Sequence, residues 1–304
     1  MLEQASTSNV APFTVMKGSE IFIIREARRD ELDIIGWTAA EAFIDDAMAH
    51  YYSGTTKPLS VEVKTDMRTL YDLYRCVYKA CMLGGGRAIV AVPKRSSASA
   101  STTTIAAAVC WYPPRKRITV VNALRSGMLR CIMNWGIDGF KRMSKEYSVV
   151  THGVFQQAFN SKAMEIQATE SWKQRMYKRK SKLILQESDS WYLQLMFSSK
   201  SYEGRGLMST LIREGHAYIQ SVTPGIPITL DASSSRSRDR YMHLGYELME
   251  NQTIIGAGKA TSTGIAPSKH NPVPSTELTG VPYWCMVNWK PVISEEDKPR
   301  NPDS

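Results

Sequence analysis

Seven residues, Tyr202-Glu203-Gly204-Arg205-Gly206-Leu207-Met208, stand between an apolar segment from Trp191 to Phe197 and a helical pattern from Leu207 to Gln220. A strand that runs through such a turn into a helix start presents unpaired backbone N–H groups and the positive end of a helix dipole at one point. Gly204 and Gly206 allow unusual dihedrals and close approach of the backbone. The chemistry suited to this arrangement is anion binding, and a phosphate is the anion it suggests. A second set of residues can take up protons: Asp45, Asp46, His50, His152, Glu187, Asp189 and Asp231. Spacing singles out none of them, and each alone is more often a surface charge or a helix cap. No Cys or Ser has a triad-like setting, so a covalent enzyme intermediate is not expected. The five cysteines, Cys76, Cys81, Cys110, Cys131 and Cys285, form no C-x-x-C pair and lie near no suitably spaced histidine. No metal is expected.

Composition frames what must position these groups. The chain has 304 residues, 43% hydrophobic and 22% charged, enough to bury a substantial core in one enlarged domain. Four of the cysteines sit in strongly apolar segments, which reads as buried free thiols in a reducing compartment. Residues 1 to 20 lack the continuous apolar core of a signal peptide, and no apolar run approaches the length needed to span a bilayer. The expectation is a soluble cytoplasmic protein with no membrane partner, its oligomeric state left open. The formal charge is +9, with a basic cluster at Lys173, Arg175, Lys178, Arg179, Lys180 and Lys182. It reads as a solvated helix face; no nucleic-acid motif accompanies it, so no nucleic-acid partner is expected.

The elements follow from periodicity. After a polar start, 1 to 20, expected to be disordered, Ile21 to Ile24 reads as a first strand. Asp30 then reads as the N-cap of a helix through about Phe43. From Val61 to Met82, apolar residues recur at helical spacing, and Gly84-Gly85-Gly86 reads as the end of that helix rather than a phosphate loop. Ala88 to Val92 and Thr104 to Trp111 read as strands joined by a Ser-, Thr- and Ala-rich loop from Lys94 to Thr103. A helical insertion is expected over about 115 to 188. Beyond the glycine turn come a strand from Ile226 to Ala232, a serine- and arginine-rich turn, a short helix through Leu244 and two last strands, Tyr246 to Ile255 and Pro282 to Trp289. Between those two, residues 256 to 280 are long for a hairpin loop, so they are either disordered or part of a site. The tail from 291 to 304 is expected to be disordered.

Strand, turn Glu203-Gly204-Arg205-Gly206-Leu207-Met208, strand Ile228 to Ala232, then Tyr241-Met242-His243-Leu244-Gly245-Tyr246: this order resembles the GNAT superfamily of N-acetyltransferases. Members carry a [QR]-x-x-G-x-[GA] turn and a later Y-x-x-x-G-[FY] segment. Gly206 matches the central glycine, and Tyr241 to Tyr246 match the second segment. Glu203 and Met208 depart from the pattern at the ends of the turn, and Ser198 and Lys200 replace a familiar V-x-P before it. Within the superfamily the chain is similar to puromycin N-acetyltransferase-like enzymes, through Trp191-Tyr192-Leu193 and Trp284-Cys285-Met286. The resemblance spans residues 21 to 290 in coarse order and is specific over about Trp191 to Tyr246.

The resemblance implies an α/β (α+β) GNAT acyl-CoA N-acyltransferase fold, a mixed, mainly antiparallel sheet flanked by helices, with acetyl-CoA as co-substrate. It implies that the backbone of Gly204, Arg205, Gly206, Leu207, Met208 and Ser209 holds the coenzyme pyrophosphate. Met196, Phe197 and Ser198 pair through their backbone with the pantetheine arm, one N–H there polarising the thioester carbonyl. Ser237 takes the place of a coenzyme-contacting Asn, and Tyr241 is the general acid that protonates the departing thiolate. The acceptor implied is a small-molecule amine that attacks the thioester directly. A protein or peptide N-acetyltransferase, or an acyl-CoA-binding protein whose catalysis has lapsed, are the alternatives.

Overall fold

The computed structural model describes residues 11–94, 103–169 and 186–289. The basic cluster from Lys173 to Lys182, the tail from 291 onward, residues 1–10 and most of the connection from Lys94 to Thr103 lie outside the described residues. The sheet is built from β1 (Phe13–Lys17), β2 (Glu20–Glu26), β3 (Arg87–Pro93), β4 (Ala107–Tyr112), β5 (Trp191–Ser198), β6 (Ile228–Ala232), β7 (Glu247–Leu248), β8 (Thr253–Ile255) and β9 (Val281–Asn288). Its order is β1-β2-β3-β4-β5-β6-β9-β7, with β8 also on β9. Every pairing is antiparallel except that of β5 with β6. This is the mixed, mainly antiparallel sheet that the resemblance implies. Residues 13–17 are a strand because Gly18, at φ +61, turns them back antiparallel onto β2, within the stretch expected to be disordered. The expected strand from Tyr246 to Ile255 is two short pieces, β7 and β8, both laid on β9.

Alternation along the strands divides the core into two layers, as a period of two requires. On β4, Ala108, Cys110 and Tyr112 face a cluster with α1 (Leu32–Ala42), α3 (Lys64–Leu83) and the insertion helices α4 (Val120–Ser126) and α5 (Met128–Lys141). Ala107, Val109 and Trp111 face the opposite cluster, with α7 (Leu207–Val222) and α8 (Ser235–His243). The insertion continues through a π-helical stretch, Arg142–Tyr147, into α6 (Ser148–Thr169), whose Phe155 and Phe159 cover Cys285 and Val287 of β9. The five cysteines are free and buried. Gly86 N donates to Cys81 O at 2.8 Å and Gly85 has φ +72, so the three glycines close α3. Asp30 does not cap α1. A 3-10 turn, Arg29–Glu31, precedes that helix, and Glu31 accepts from Arg28 N and from both Arg25 and Arg28 guanidinium groups. Glu31, at the N-cap position of α1, holds two guanidinium groups, whereas Asp30, largely exposed, meets Arg28 alone at 3.3 Å.

The parallel pairing is short. Only Trp191–Leu193 lie against Ile228–Leu230; beyond them the two strands part. On its other side β5 changes register against β4, with Cys110 opposite Leu195 and Trp111 opposite Leu193, so Gln194 is an extra, bulged residue. A bulge re-aims the groups that follow it. Ser199 N donates to Ala106 O at 2.9 Å, and alternation back along β5 directs the N–H groups of Met196 and Ser198 away from β4, toward the opening.

The sheet is held to α7 by a close approach at Gly215, where an added methyl would fall inside the indole of Trp111. Gly215→Ala is expected to cost about 2 kcal/mol of stability through this overpacking. Urea unfolding checks it; an unchanged midpoint would mean the helix stands farther from the sheet.

Candidate active site

Where β5 and β6 part, a cavity of about 210 Å³ opens through the sheet. Asp231, the fourth residue of β6, borders it. Its carboxylate is held by three phenols from three other segments: Tyr147 and Tyr192 donate to Oδ2 at 2.7 and 2.8 Å, and Tyr283 donates to Oδ1 at 2.6 Å. Tyr192 and Tyr283 share a sheet face with Asp231, on the strands either side of it, while Tyr147 comes down from the last position of the π-helical stretch. Such stretches break the regular register of a helix and often occur where a side chain is presented to a site. Two carboxylate oxygens offer about four acceptor positions, so one remains for a group in the cavity.

Asp231 is half-buried by surface because it borders the cavity, yet protein atoms crowd it closely. Burial raises its carboxyl above the ordinary range and outweighs the three phenol hydrogen bonds, which pull the other way. Tyr241 lines the same cavity from α8. Burial, reinforced by the negative charge of Asp231, raises its phenol too, so it stays protonated at neutral pH. The Tyr241 hydroxyl has no hydrogen-bond partner among the described residues and is available to donate. Phe43, Tyr52, Tyr74 and Met143 complete an apolar wall.

Of the proton acceptors weighed from sequence, only Asp46 and Asp231 border the cavity. Asp46 caps α2 (Ala47–Ser53), accepting from Ala49 N at 2.9 Å, and takes the Ser233 hydroxyl at 2.5 Å; burial raises its carboxyl as it does that of Asp231. Asp45 is exposed beside Lys200, Glu187 pairs with Arg117 and His152, and Asp189 pairs with Arg115. His50 is buried with Nδ1 2.9 Å from Thr263 O and Nε2 3.0 Å from Ile44 O, so it fastens α2 to the 256–280 connection. That connection packs on α2, with Ala266 N donating to Thr55 O at 2.9 Å, and contributes no residue to the cavity. It does not serve as the loop over this site.

The residues named by resemblance are arranged along one path. Met196, Met208, Ser209, Ser237 and Tyr241 border the cavity. Phe197 turns its ring into the core against Tyr78, and Leu207 is buried under α7, so both contribute backbone only. Ser198 hydrogen-bonds Ala106 O through its side chain. Gly204 and Gly206 have φ +77 and +71, and no atom lies within 4 Å of where a side chain on Gly204 would begin. The first amide bonded into α7 is that of Thr210, to Gly206 O, which leaves those of Leu207, Met208 and Ser209 facing outward. Glu203 lies 3.7 Å from Arg236, which offsets its charge, and Arg205 is held by Glu20 at 2.6 Å. Lys17 sits beside Gly206, a cation from β1 that no local motif connects to the turn.

Solved structures similar to this chain include a Corynebacterium glutamicum protein described as histone acetyltransferase HPA2 and related acetyltransferase. It is 16% identical, with 90% of this chain and 97% of that chain covered and a TM-score of 0.46. Another is a putative arylalkylamine N-acetyltransferase 7 from the mosquito Aedes aegypti, 11% identical over 93% of this chain and 97% of that one, TM-score 0.49. A third is a polyamine N-acetyltransferase from Drosophila melanogaster, 11% identical over 88% and 98%, TM-score 0.39. No family model and no curated protein matches the chain.

A carboxyl raised by burial makes folding less favourable as pH climbs through its folded-state pKa, because the native state then must hold a charge it disfavours. Asp231→Asn removes that cost. At neutral pH the variant is expected to be as stable as the parent or about 1 kcal/mol more stable, with the difference vanishing in acid, where the parent carboxyl is also neutral. Denaturation across pH measures it; a variant that is least stable at neutral pH would show that the charged form is the favoured one.

Proposed function

We propose that this chain is an acetyl-CoA-dependent N-acetyltransferase that acylates an amine of a small molecule by direct attack on the thioester. The observation that carries the reading is the carboxylate of Asp231, held by three tyrosines at the parting of β5 and β6, with the free phenol of Tyr241 in the same cavity.

A primary alkylamine titrates near 10.4, so making its neutral form at pH 7 costs about 4 to 5 kcal/mol. Asp231 is the group placed to receive that proton, on the acceptor position its tyrosines leave free, and its raised pKa makes it a better base than an exposed carboxylate. The coenzyme supplies the activated acyl group. The residues present fit it: the Met196 and Ser198 N–H groups are directed into the opening, open space lies beside Gly204, and the Leu207 to Ser209 amides face outward at the helix start. The turn acts through its backbone, as Arg205 is committed to Glu20. A donor aimed at the developing oxyanion is worth about 3 to 4 kcal/mol, and the β5 amides have that role here. As the new C–N bond forms and the C–S bond breaks, the Tyr241 phenol gives its proton to the departing thiolate and the second proton of the acylated nitrogen makes that loss good, while the proton first taken by Asp231 leaves to solvent.

The apolar, tyrosine-walled cavity favours a small acceptor over an extended polypeptide. The similarity to puromycin N-acetyltransferase-like enzymes makes puromycin one candidate, beside polyamines and arylalkylamines. Incubation with acetyl-CoA and these amines, with a basic peptide as the contrasting acceptor, is expected to release free thiol with a small amine. Turnover only with the peptide favours the protein-modifying reading, coenzyme binding without turnover favours a lapsed binding protein, and neither activity rejects the proposal.

Three variants divide the roles. Asp231→Asn is expected to lower kcat by about 10² to 10⁴ and to flatten the acidic limb of the kcat/KM profile, whose midpoint in the parent lies above the usual carboxylate range. Tyr241→Phe lowers turnover while coenzyme affinity, read by calorimetry, stays within about threefold; equal loss of both contradicts its role as acid. Gly206→Val, at φ +71, distorts the turn and is expected to weaken coenzyme binding at least tenfold. Unaltered affinity would falsify the cradle.

A further inference from the structure

The insertion has a property that acyl transfer does not use. Residues 115–188 contain 15 Lys and Arg against 5 Asp and Glu, a formal +10 in a chain of +9, so the whole net charge resides there. Its outer face is also apolar: Val120, Val121 and Leu124 on α4, then Leu129, Met133 and Ile137 on α5, are all exposed, Met133 to 82% and Val120 to 77%. Two basic side chains stand beside them, while Asp138, after Ile137, is paired with Lys141 at 3.3 Å. Arg125 follows Leu124 and Arg130 follows Leu129, both exposed and without a carboxylate partner among the described residues. Scattered exposed aliphatics need no explanation; five between Val120 and Met133 do, and Ile137 follows them beyond a break in α5 at Gly136, φ +69.

We propose that α4 and α5 form a surface that lies on an anionic lipid bilayer, inserting these aliphatic side chains at the interface while Arg125 and Arg130 reach the headgroups. Interfacial helices combine an aliphatic face with Lys and Arg beside it, and each basic residue near an anionic surface adds about fivefold to the partition coefficient. A second copy of the chain on this face would set Arg125 and Arg130 against like charges. Nucleic acid would use the arginines but gains nothing from Met133, Ile137 or Val120, and α4 and α5 present no exposed aromatic side chain for stacking. Among the described residues no helix is long and apolar enough to cross a membrane, and the surface proposed here lies on one.

The test is flotation of the full chain with vesicles of phosphatidylcholine alone and of phosphatidylcholine with phosphatidylserine. Binding is expected only to the second, weakening as salt is added. Arg125→Gln with Arg130→Gln should lower the partition coefficient roughly thirtyfold, and Leu129→Glu with Met133→Glu should abolish binding. Both pairs are exposed and lie outside the cavity, so an unchanged circular dichroism spectrum and unchanged thiol-release activity are expected of them. Absence of binding to the anionic vesicles at low salt overturns the proposal. So does binding that neither variant alters, or a concentration-dependent dimer, seen by light scattering, that Leu129→Glu with Met133→Glu disperses while vesicles leave the parent chain unbound.

Discussion

Three residue pairs of parallel strand, Trp191 to Leu193 against Ile228 to Leu230, join the two halves of the sheet, and the site exists because they are so few. Had β5 and β6 stayed paired to their ends, ladder hydrogen bonds would occupy the Met196 and Ser198 amides and the sheet would be closed. Because pairing stops, the strands diverge and a gap runs through the middle of the sheet. The bulge at Gln194 makes this divergence useful, since one extra residue shifts the alternation that decides which amides face β4 and which face the gap. Two layers that the sheet would otherwise separate meet there: Tyr241 belongs to the α7 and α8 side, while Asp231 points to the side covered by the insertion.

Placing a carboxylate at that opening has a cost. Burial opposes its charge, and hydrogen bonds from Tyr147, Tyr192 and Tyr283 offset only part of the opposition, which is why its carboxyl remains raised. The same imbalance that lowers the stability of the charged form makes it ready to take a proton. The tyrosines also fix its orientation, since each approaches from a different element: the π-helical stretch, β5 and β9. The insertion is thereby joined to the sheet's chemistry, because the stretch that ends in Tyr147 connects α5 to α6.

Elements with a strong period could be read from residues alone. α3 is apolar at helical spacing and ends at its glycines; β4, apolar at every position, shows its two-layer alternation only once folded. Other features could not. Phe13 to Lys17 is an edge strand whose signal is its partner β2, and the N-cap position of α1 falls to Glu31, on which Arg25 and Arg28 converge, rather than to Asp30. The 256–280 connection had the composition of a site loop, but the buried ring of His50 ties it to α2 and away from the cavity.

Residue order was enough to set the succession of strands, turn and helices, and with it the positions that the resemblance marks: Gly206, Tyr241 and the end of β5. These are local, since a turn, a strand and a helix start are written in neighbouring residues. Of the seven candidate acids and bases, folding brings two, Asp46 and Asp231, to the cavity. Asp231 is distinguished by phenols that lie 84, 39 and 52 residues away along the chain. No spacing rule spans such separations. Pairing of strands and packing of the insertion bring those hydroxyls within hydrogen-bond distance, and the resulting balance of burial and hydrogen bonding exists only in the folded chain.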